Sequence, residues 1–502
     1  MLVNLGKLTD AAKPADEIAI IDCVDAASPR IYTHGEIDRQ ADACARGLLR
    51  KGLSRGARIA LMSLNRAEYV IAYLGIMRAG MVAVPVNYKV SADTLALILD
   101  DCEARLVFVD AARQALLPPG IAAQRLDDES AWREFLDEGP FDTVVPAADE
   151  CAMILYTSGS TGRPKGVQLS HEGQLWTLRS RLATRATFLG ERFIVAAPLF
   201  HMNALASVKF ALAGHASIVL LPQFDTLQFI DAIGRHGVTW VTSVPTMMAM
   251  VVKEKEALSR IDTRKVHYVR MGSAAASASL YEAVRQAFPN ASLAGGYGTT
   301  EAGPIVFGPT QGRPLPPGGG LGWPLPGVEV RLVDAQGRDV GPDDEGELWM
   351  RTPANMLGYL NLPEKTAQVL TPDRWYKSGD VFRRDASGCY YFVGRVDDMF
   401  NCGGENIYPG EVEHVISRIP EVMQTCVVPV RDEMKGQKPV AFVVRHPGKD
   451  LSERQVKDFV LANAPAYQHP RRVYFVDALP LAPTNKVDRK ALMAQAEHAG
   501  SA

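Results

Sequence analysis

The chain of 502 residues carries a formal net charge of −3, with 47% hydrophobic and 22% charged residues, the balance of a soluble globular protein with material for two or more domains. That charge excludes a broad basic face for nucleic acid or an anionic membrane, so any affinity for phosphate must come from local loops. Seven scattered cysteines without a Cys-x-x-Cys pair argue against disulfides or zinc, and an N-terminus lacking a signal-peptide core, with no apolar run of membrane-spanning length, makes a cytoplasmic location the expectation.

Thr33-His34-Gly35-Glu36 fits a capping box, in which a hydroxyl and a glutamate satisfy orphan N–H groups at a helix start. Ile37, Ala41, Cys44 and Leu48 then mark one helix face, ended near Gly52. The strand pattern ARIALMSL (57–64) follows, then a helix over 67–80, the strand MVAVPVN (81–87), a helix over 92–104 and the strand RLVFVD (105–110). AMILY (152–156) and VQLS (167–170) read as strands flanking a glycine-rich loop. The alternation resumes with ASIVLLPQF (216–224), a helix over 226–237, VTWVTSVP (238–245), HYVRMGS (267–273) and a helix over 277–288. Short Val- and Ile-rich strands between helices imply parallel sheets covered on both faces.

Residues 309–327, rich in proline and glycine, cannot be regular structure. Beyond them VEVRLVD (328–334), AQGRDV (335–340) and GELWMRT (346–352) alternate with turn residues, as antiparallel strands do. The final stretch mixes helices over 411–419 and 453–464 with the strands TCVVPV (425–430), PVAFVVRH (439–446) and VYFVD (473–477).

The run from Tyr156 to Val167, YTSGSTGRPKGV, gathers Thr157, Ser158, Gly159, Ser160, Thr161, Gly162 and Lys165. Glycines bring backbone N–H groups close to a ligand, hydroxyls donate to phosphate oxygens, and the lysine adds a compact positive charge. Such a loop suits a nucleoside triphosphate. It is not the Walker pattern, because Pro164 precedes Lys165 and Gly166 follows it. A plain surface hairpin is the competing reading, but a turn needs neither this length nor a lysine locked between proline and glycine.

Four further strings follow in order: GYGTTEAG (296–303), YKSGD (376–380), GRVDDMFNCGGENIYPGEVE (394–413) and PTNKVDRKAL (483–492). With these five motifs the chain resembles, over nearly its whole length, the adenylate-forming superfamily of acyl- and aryl-CoA synthetases, peptide-synthetase adenylation domains and luciferases. The resemblance implies an α/β fold. A large N-terminal domain, residues 1–395, would hold two parallel-type α/β sheets and a β-rich subdomain, and a small mobile α+β C-terminal domain would span 396–502. It implies an ATP-dependent ligase that joins a carboxylic acid to AMP, expels pyrophosphate and passes the acyl group to CoA, with ATP, Mg2+ and coenzyme A as cofactors. No nucleic acid or membrane partner is expected, and a homodimer is compatible with the family.

The same resemblance assigns roles. The loop from Thr157 to Lys165 would hold the β- and γ-phosphates, Glu301 the magnesium ion, and Thr300 the α-phosphate or acyl oxygen. Tyr297, Gly298 and Thr299 would face the nucleotide, with adenine between Tyr297 and the backbone of Gly272, Ser273 and Ala274. Asp380 would clamp the ribose beside Arg395, although a turn aspartate after Gly379 is the reading without the family. Lys486 would be the catalytic cation that draws the substrate carboxylate and the α-phosphate together; Asn485 stands before it where the family usually has glycine. Asp397 would be the hinge for rotation between half-reactions. Gly403 and Gly404 would wall the pantetheine tunnel and His201 would gate it.

His201, Met202 and Asn203 provide no anion for an amino group, which disfavours an amino-acid substrate. The acyl pocket is expected near His201, Met202, Ser243 to Thr246, Ala294 to Gly296 and Ala302 to Pro304. Its glycines leave room for something larger than acetate, and the string ending in YPGEVE resembles benzoate- and hydroxycinnamate-type ligases, favouring an aromatic or bulky carboxylate. A medium-chain fatty acid, a carrier protein as acceptor, and a non-catalytic adenylate-binding regulator stand as alternatives. Tyr467-Gln468-His469-Pro470 lacks the lysine that family members carry toward CoA, so the CoA phosphates stay unassigned.

Overall fold

The computed structural model describes residues 2–10, 12–158, 163–184, 187–272, 276, 278–308, 320–402, 404–482 and 487–500, with the backbone alone for Ser158, Asn406 and Gly500. The capping box forms as the sequence predicts. Thr33 Oγ1 accepts from the Glu36 amide at 3.1 Å, and Glu36 Oε2 accepts from the Thr33 amide at 2.8 Å. This starts the helix His34–Arg50, which buries Ile37, Ala41, Cys44 and Leu48. It lies against the helix Ala67–Arg78, where a Cβ on Gly75 would sit 2.7 Å from that of Cys44. Only glycine allows so close an approach.

Two seven-stranded sheets dominate. The first runs in the order Ser292–Gly296, Tyr268–Gly272, Trp240–Ser243, Arg192–Val195, Ser217–Leu220, Ile18–Asp22 and Arg30–Thr33, parallel throughout except for the last pair. The second runs Gly358–Tyr359, Pro164–Ser170, Cys151–Ser158, Val82–Pro85, Arg58–Met62, Leu106–Val109 and Ala123–Arg125. Its strands from Cys151–Ser158 onward are parallel, while Pro164–Ser170 pairs antiparallel on both sides. The sheets are therefore parallel at their centres, as expected of a parallel-type α/β fold, and antiparallel at one edge each. A short hairpin connection can only return antiparallel.

Strand residues alternate between two cores. Phe193, Val195, Ile218 and Leu220 of the first sheet, with Ile59, Leu61, Phe108 and Met153 of the second, pack into one cluster around the helices between the sheets. Their neighbours Ile194 and Val219 face a second core, and Ala60 and Val107 a third. Each fully buried aliphatic or aromatic side chain contributes roughly 1.5–3 kcal/mol, so the ends of these strands are fixed on both sides.

Glu329–Val333, Glu345–Arg351, Tyr376–Arg384 and Tyr390–Arg395 form a four-stranded antiparallel sheet. AQGRDV is not the strand its alternation predicts. It is a tight turn, with Gly337 at φ +80° and only an isolated bridge between Val333 and Asp339. Asp380 lies inside the strand Tyr376–Arg384 rather than in a turn; the preceding Gly379 takes a positive φ of +69° within it. A further five-stranded sheet, with the helices Pro409–Ile416, Glu453–Asn463 and Arg489–Gly500, is built from residues beyond 399 and has its own two clusters.

Candidate active site

The carboxyl ends of the parallel strands in an open α/β sheet form a ready crevice for a ligand. Here the strand Ser292–Gly296 runs out into Tyr297 and a tight turn closed by paired bonds between Thr299 and Gly303, each 3.1 Å. Thr299 Oγ1 accepts from the Ala302 amide at 3.0 Å. Gly303 has φ +106°, and a Cβ on Gly298 would fall 2.4 Å from the Pro304 backbone. Both glycines are thus steric requirements of the turn that presents Thr300 and Glu301. The two sit half-buried at its tip.

Glu301 is held from a part of the chain that no motif marks. The Tyr359 hydroxyl donates to Glu301 Oε1 at 3.0 Å, and the Met356 amide donates to the Glu301 carbonyl at 2.6 Å. Tyr359 is buried, and burial together with the glutamate's charge pushes its phenol well above the ordinary range. It therefore stays a proton donor. Lys165 Nζ lies 3.5 Å from the same hydroxyl and 4.6 Å from the ring centroid. The lysine stands on Pro164–Ser170, paired with Thr157 across the hairpin, and Ser158 pairs with Pro164. The strand–loop–strand reading of this segment is met in its two arms. Gly159, Ser160, Thr161 and Gly162 lie outside the described residues.

A second node joins Tyr297 to Asp380. The Tyr297 hydroxyl donates to Asp380 Oδ2 at 2.5 Å, and Arg395 Nε approaches Oδ1 at 3.1 Å. Asp380 and Arg395 are register partners on adjacent strands. The Tyr297 ring packs against Phe307 and Phe382, with centroids 5.9 and 4.8 Å away. Burial and Asp380 raise its phenol far above the usual value, so it too remains a donor. A carboxylate offers about four acceptor sites, so Asp380 can serve several donors at once.

His201 occupies the N-cap position of the helix Met202–Gly214, its ring 4.3 Å from that of Phe200. Gly272 ends the strand Tyr268–Gly272; Ser273 and Ala274 lie outside the described residues. Asp397 is exposed in the turn after Arg395, where the Met399 amide bonds the Arg395 carbonyl at 3.1 Å. Gly404 takes φ +97° at the tip of the hairpin Phe400–Cys402 and Glu405–Ile407; Gly403 lies outside the described residues. So does Lys486, flanked by an isolated bridge between Leu481 and Val487.

The structure thus brings Lys165, Glu301 and Tyr359 together, and separately Tyr297, Asp380 and Arg395. The turn at Tyr297 to Gly303 links the two groups. Two cations, two carboxylates and two phenol donors around one turn can bind a polyphosphate and a sugar. Magnesium fits Glu301, because a hard cation that takes one carboxylate and several phosphate oxygens needs only a carboxylate held as Tyr359 holds this one. Sequence reasoning missed Tyr359, and also Arg270, a charge within the apolar string HYVRMGS whose presence there was itself a signal.

Comparison with known proteins agrees with the geometry. The profile described as AMP-binding enzyme matches residues 8–360, and that described as AMP-binding enzyme C-terminal domain matches residues 411–486. The chain is 30% identical over 492 residues to 4-coumarate--CoA ligase 1 of Solanum tuberosum, covering 94% of this chain and 90% of that protein. It is 31% identical over 479 residues to the fatty acid--[acyl-carrier-protein] ligase ScoC of Streptomyces coeruleorubidus, with 92% and 91% covered. Among solved structures, the anthranilate CoA ligase AuaEII in complex with anthranoyl-AMP superposes with a TM-score of 0.91 at 26% identity, covering 100% of this chain and 99% of that one.

Proposed function

Because the chain belongs to the AMP-binding enzyme family, we propose that it is an AMP-forming acid–CoA ligase that activates a carboxylic acid as its acyl-adenylate and then makes the thioester. The observation that carries the reading is the shared turn that presents Glu301 to Tyr359 and Lys165 on one side and Tyr297 to Asp380 on the other. That spacing suits a nucleoside triphosphate laid across the turn.

On this reading Thr157, Ser158, Gly159, Ser160, Thr161, Gly162 and Lys165 hold the β- and γ-phosphates. Glu301, oriented by Tyr359, holds magnesium, which when bound neutralises charge on the phosphate oxygens. Asp380 and Arg395 fix the ribose, and Thr300 donates to the α-phosphate. Lys486 lies between the two anions that must meet, and its charge offsets their repulsion. The first half-reaction joins a carboxylate oxygen to the α-phosphorus and releases pyrophosphate. In the second, a thiol attacks the acyl carbon and AMP leaves. We assign 1–395 and 396–502 as the two domains, Asp397 as the hinge, Gly403 and Gly404 as the tunnel wall, and His201 as its gate.

An aromatic or bulky acid is the favoured substrate, supported by the likeness to the 4-coumarate and anthranilate ligases. The comparable likeness to a ligase that loads an acyl carrier protein keeps a carrier as the second acceptor to be tested. Mass spectrometry of reactions with magnesium-ATP, a panel of acids and either CoA or a carrier protein checks the proposal. AMP with an acyl thioester is the expected product pair; ADP with phosphate overturns it.

A further inference from the structure

Arg270 is buried in an unusual way. Its residue is 5% exposed, yet among the described residues no carboxylate pairs with it. Nη1 donates to Asn203 Oδ1 at 3.0 Å and Nη2 lies 3.4 Å from the Pro304 carbonyl, while Nε has no partner. A second guanidinium, Arg181, is centred 3.9 Å from the Phe210 ring, and the charge of Arg270 reaches it. Burial and then Arg270 depress Arg181 to about 9, and burial depresses Arg270 as well. Among the described residues the Tyr268 phenol is the one acidic group that acts on either, and no carboxylate does.

A buried charge is costly unless paired, and Arg78, the other arginine buried as deeply as Arg270, is paired. Arg78 binds Asp38 and Asp42, and Arg489 binds Glu413. Arg270 breaks that pattern near the carboxyl end of its strand. Its guanidinium lies against Gly296, where a Cβ would sit 2.9 Å from Nε, and against Gly272, where a Cβ would sit 3.3 Å from Nη2. Asn203 follows His201 by two residues at the start of its helix, and Pro304 follows the Glu301 turn. Asn203, Gly296 and Pro304 fall within or beside the segments from which the resemblance expects the acyl pocket to be built. The site has surplus positive charge, unspent donors and glycine walls. What it lacks is an anion.

We propose that Arg270 reads a second carboxylate, so that the acid activated here is a dicarboxylic acid whose other carboxylate is held by the Arg270 guanidinium with help from Asn203. This deepens the ligase reading and rests on it. The planar guanidinium fork matches a carboxylate bidentately. With Oδ1 of Asn203 engaged by Arg270, its Nδ2 is left as a further donor. A neutral acyl chain of the same length would enter the cleft without answering the charge.

The test is isothermal titration of paired acids in the presence of magnesium and α,β-methylene-ATP. The acids are the straight-chain diacids from malonate to sebacate and the three benzenedicarboxylates, each beside its monomethyl ester. At least one diacid should bind about 10-fold or more tighter than its half-ester, the scale of a hydrogen-bonded charge. Arg270→Met should bring that ratio near one while leaving half-ester affinity within about threefold. Arg270→Gln, which keeps a donor for Asn203, guards against misfolding and should likewise lose the preference at an unchanged melting temperature. Half-esters binding as well as every diacid, or Arg270→Met and Arg270→Gln keeping the preference, overturns the proposal. Pyrophosphate release with ATP, read on the same pairs, separates the two claims. Release without any diacid preference removes the second-carboxylate site and leaves the ligase; preference without release removes the ligase reading instead.

Discussion

The Tyr359 hydroxyl offers the sharpest perturbation, because one oxygen atom connects a residue outside every motif to the proposed magnesium carboxylate. Tyr359→Phe removes the 3.0 Å bond to Glu301 Oε1 but keeps the ring under Lys165, 4.6 Å from Nζ. A hydrogen bond to a charged group contributes about 1.5–3 kcal/mol, which corresponds to about a 10- to 150-fold change at 1.4 kcal/mol per decade. The loss should fall on the adenylation half-reaction, to which Glu301 is assigned in the proposal. Folding should change little, since Phe fills the same buried volume. Rapid-quench measurement of pyrophosphate release should show the fall, while thioester formation from supplied acyl-adenylate stays near the parent rate. Adenylation at the parent rate, or an equal fall in both half-reactions, would refute the view that Tyr359 orients Glu301.

Lys486→Ala should lower pyrophosphate release by orders of magnitude yet spare thioester formation from supplied acyl-adenylate; equal loss of both would remove its assigned role. Asp397→Pro should leave adenylation near the parent rate and slow thiolation, and unchanged thiolation would exclude the hinge. Gly298→Ala would force a Cβ to 2.4 Å from the Pro304 backbone, so a lower melting temperature, by roughly 1–3 kcal/mol of stability, should accompany lost activity. His171 is buried with Nδ1 accepting from the Leu5 amide at 3.2 Å, and burial lowers it from 6.5 to about 4. In the window between those values the unfolded chain binds the extra proton, so stability is full above pH 6.5 and is lost as pH falls toward 4. His171→Gln should flatten that acid limb in thermal melts, and an unaltered limb would refute the assignment.

Much of the scaffold was legible because its local signals agree. The capping box at Thr33, the apolar face from Ile37 to Leu48, and the Val- and Ile-rich strands each specify their element without help from distant residues. The family was legible for a different reason: the motif strings and their order match the profiles that cover residues 8–360 and 411–486. What escaped was set by tertiary contact. Tyr359 reaches Glu301 across 58 residues, and nothing in NMLGYLN announces it. Glycine before Asp380 reads as a turn, yet the positive φ of Gly379 is absorbed within a strand whose pairing with Glu345–Arg351 shifts register. AQGRDV shows the opposite error, an alternating pattern whose Asp334, Gly337 and Arg338 close a turn through the Asp334–Arg338 bonds. Arg270 was visible as a charge in an apolar strand, but only its surroundings show that no carboxylate among the described residues answers it.

Acid-dependent exchange of labelled pyrophosphate into ATP, with magnesium present and CoA absent, tests the central claim most directly. The account predicts exchange that requires a carboxylic acid, needs no thiol, and vanishes in Lys486→Ala. Thioester formation without any such exchange would contradict it, because the acyl group would then reach the thiol by a route that makes no reversible adenylate.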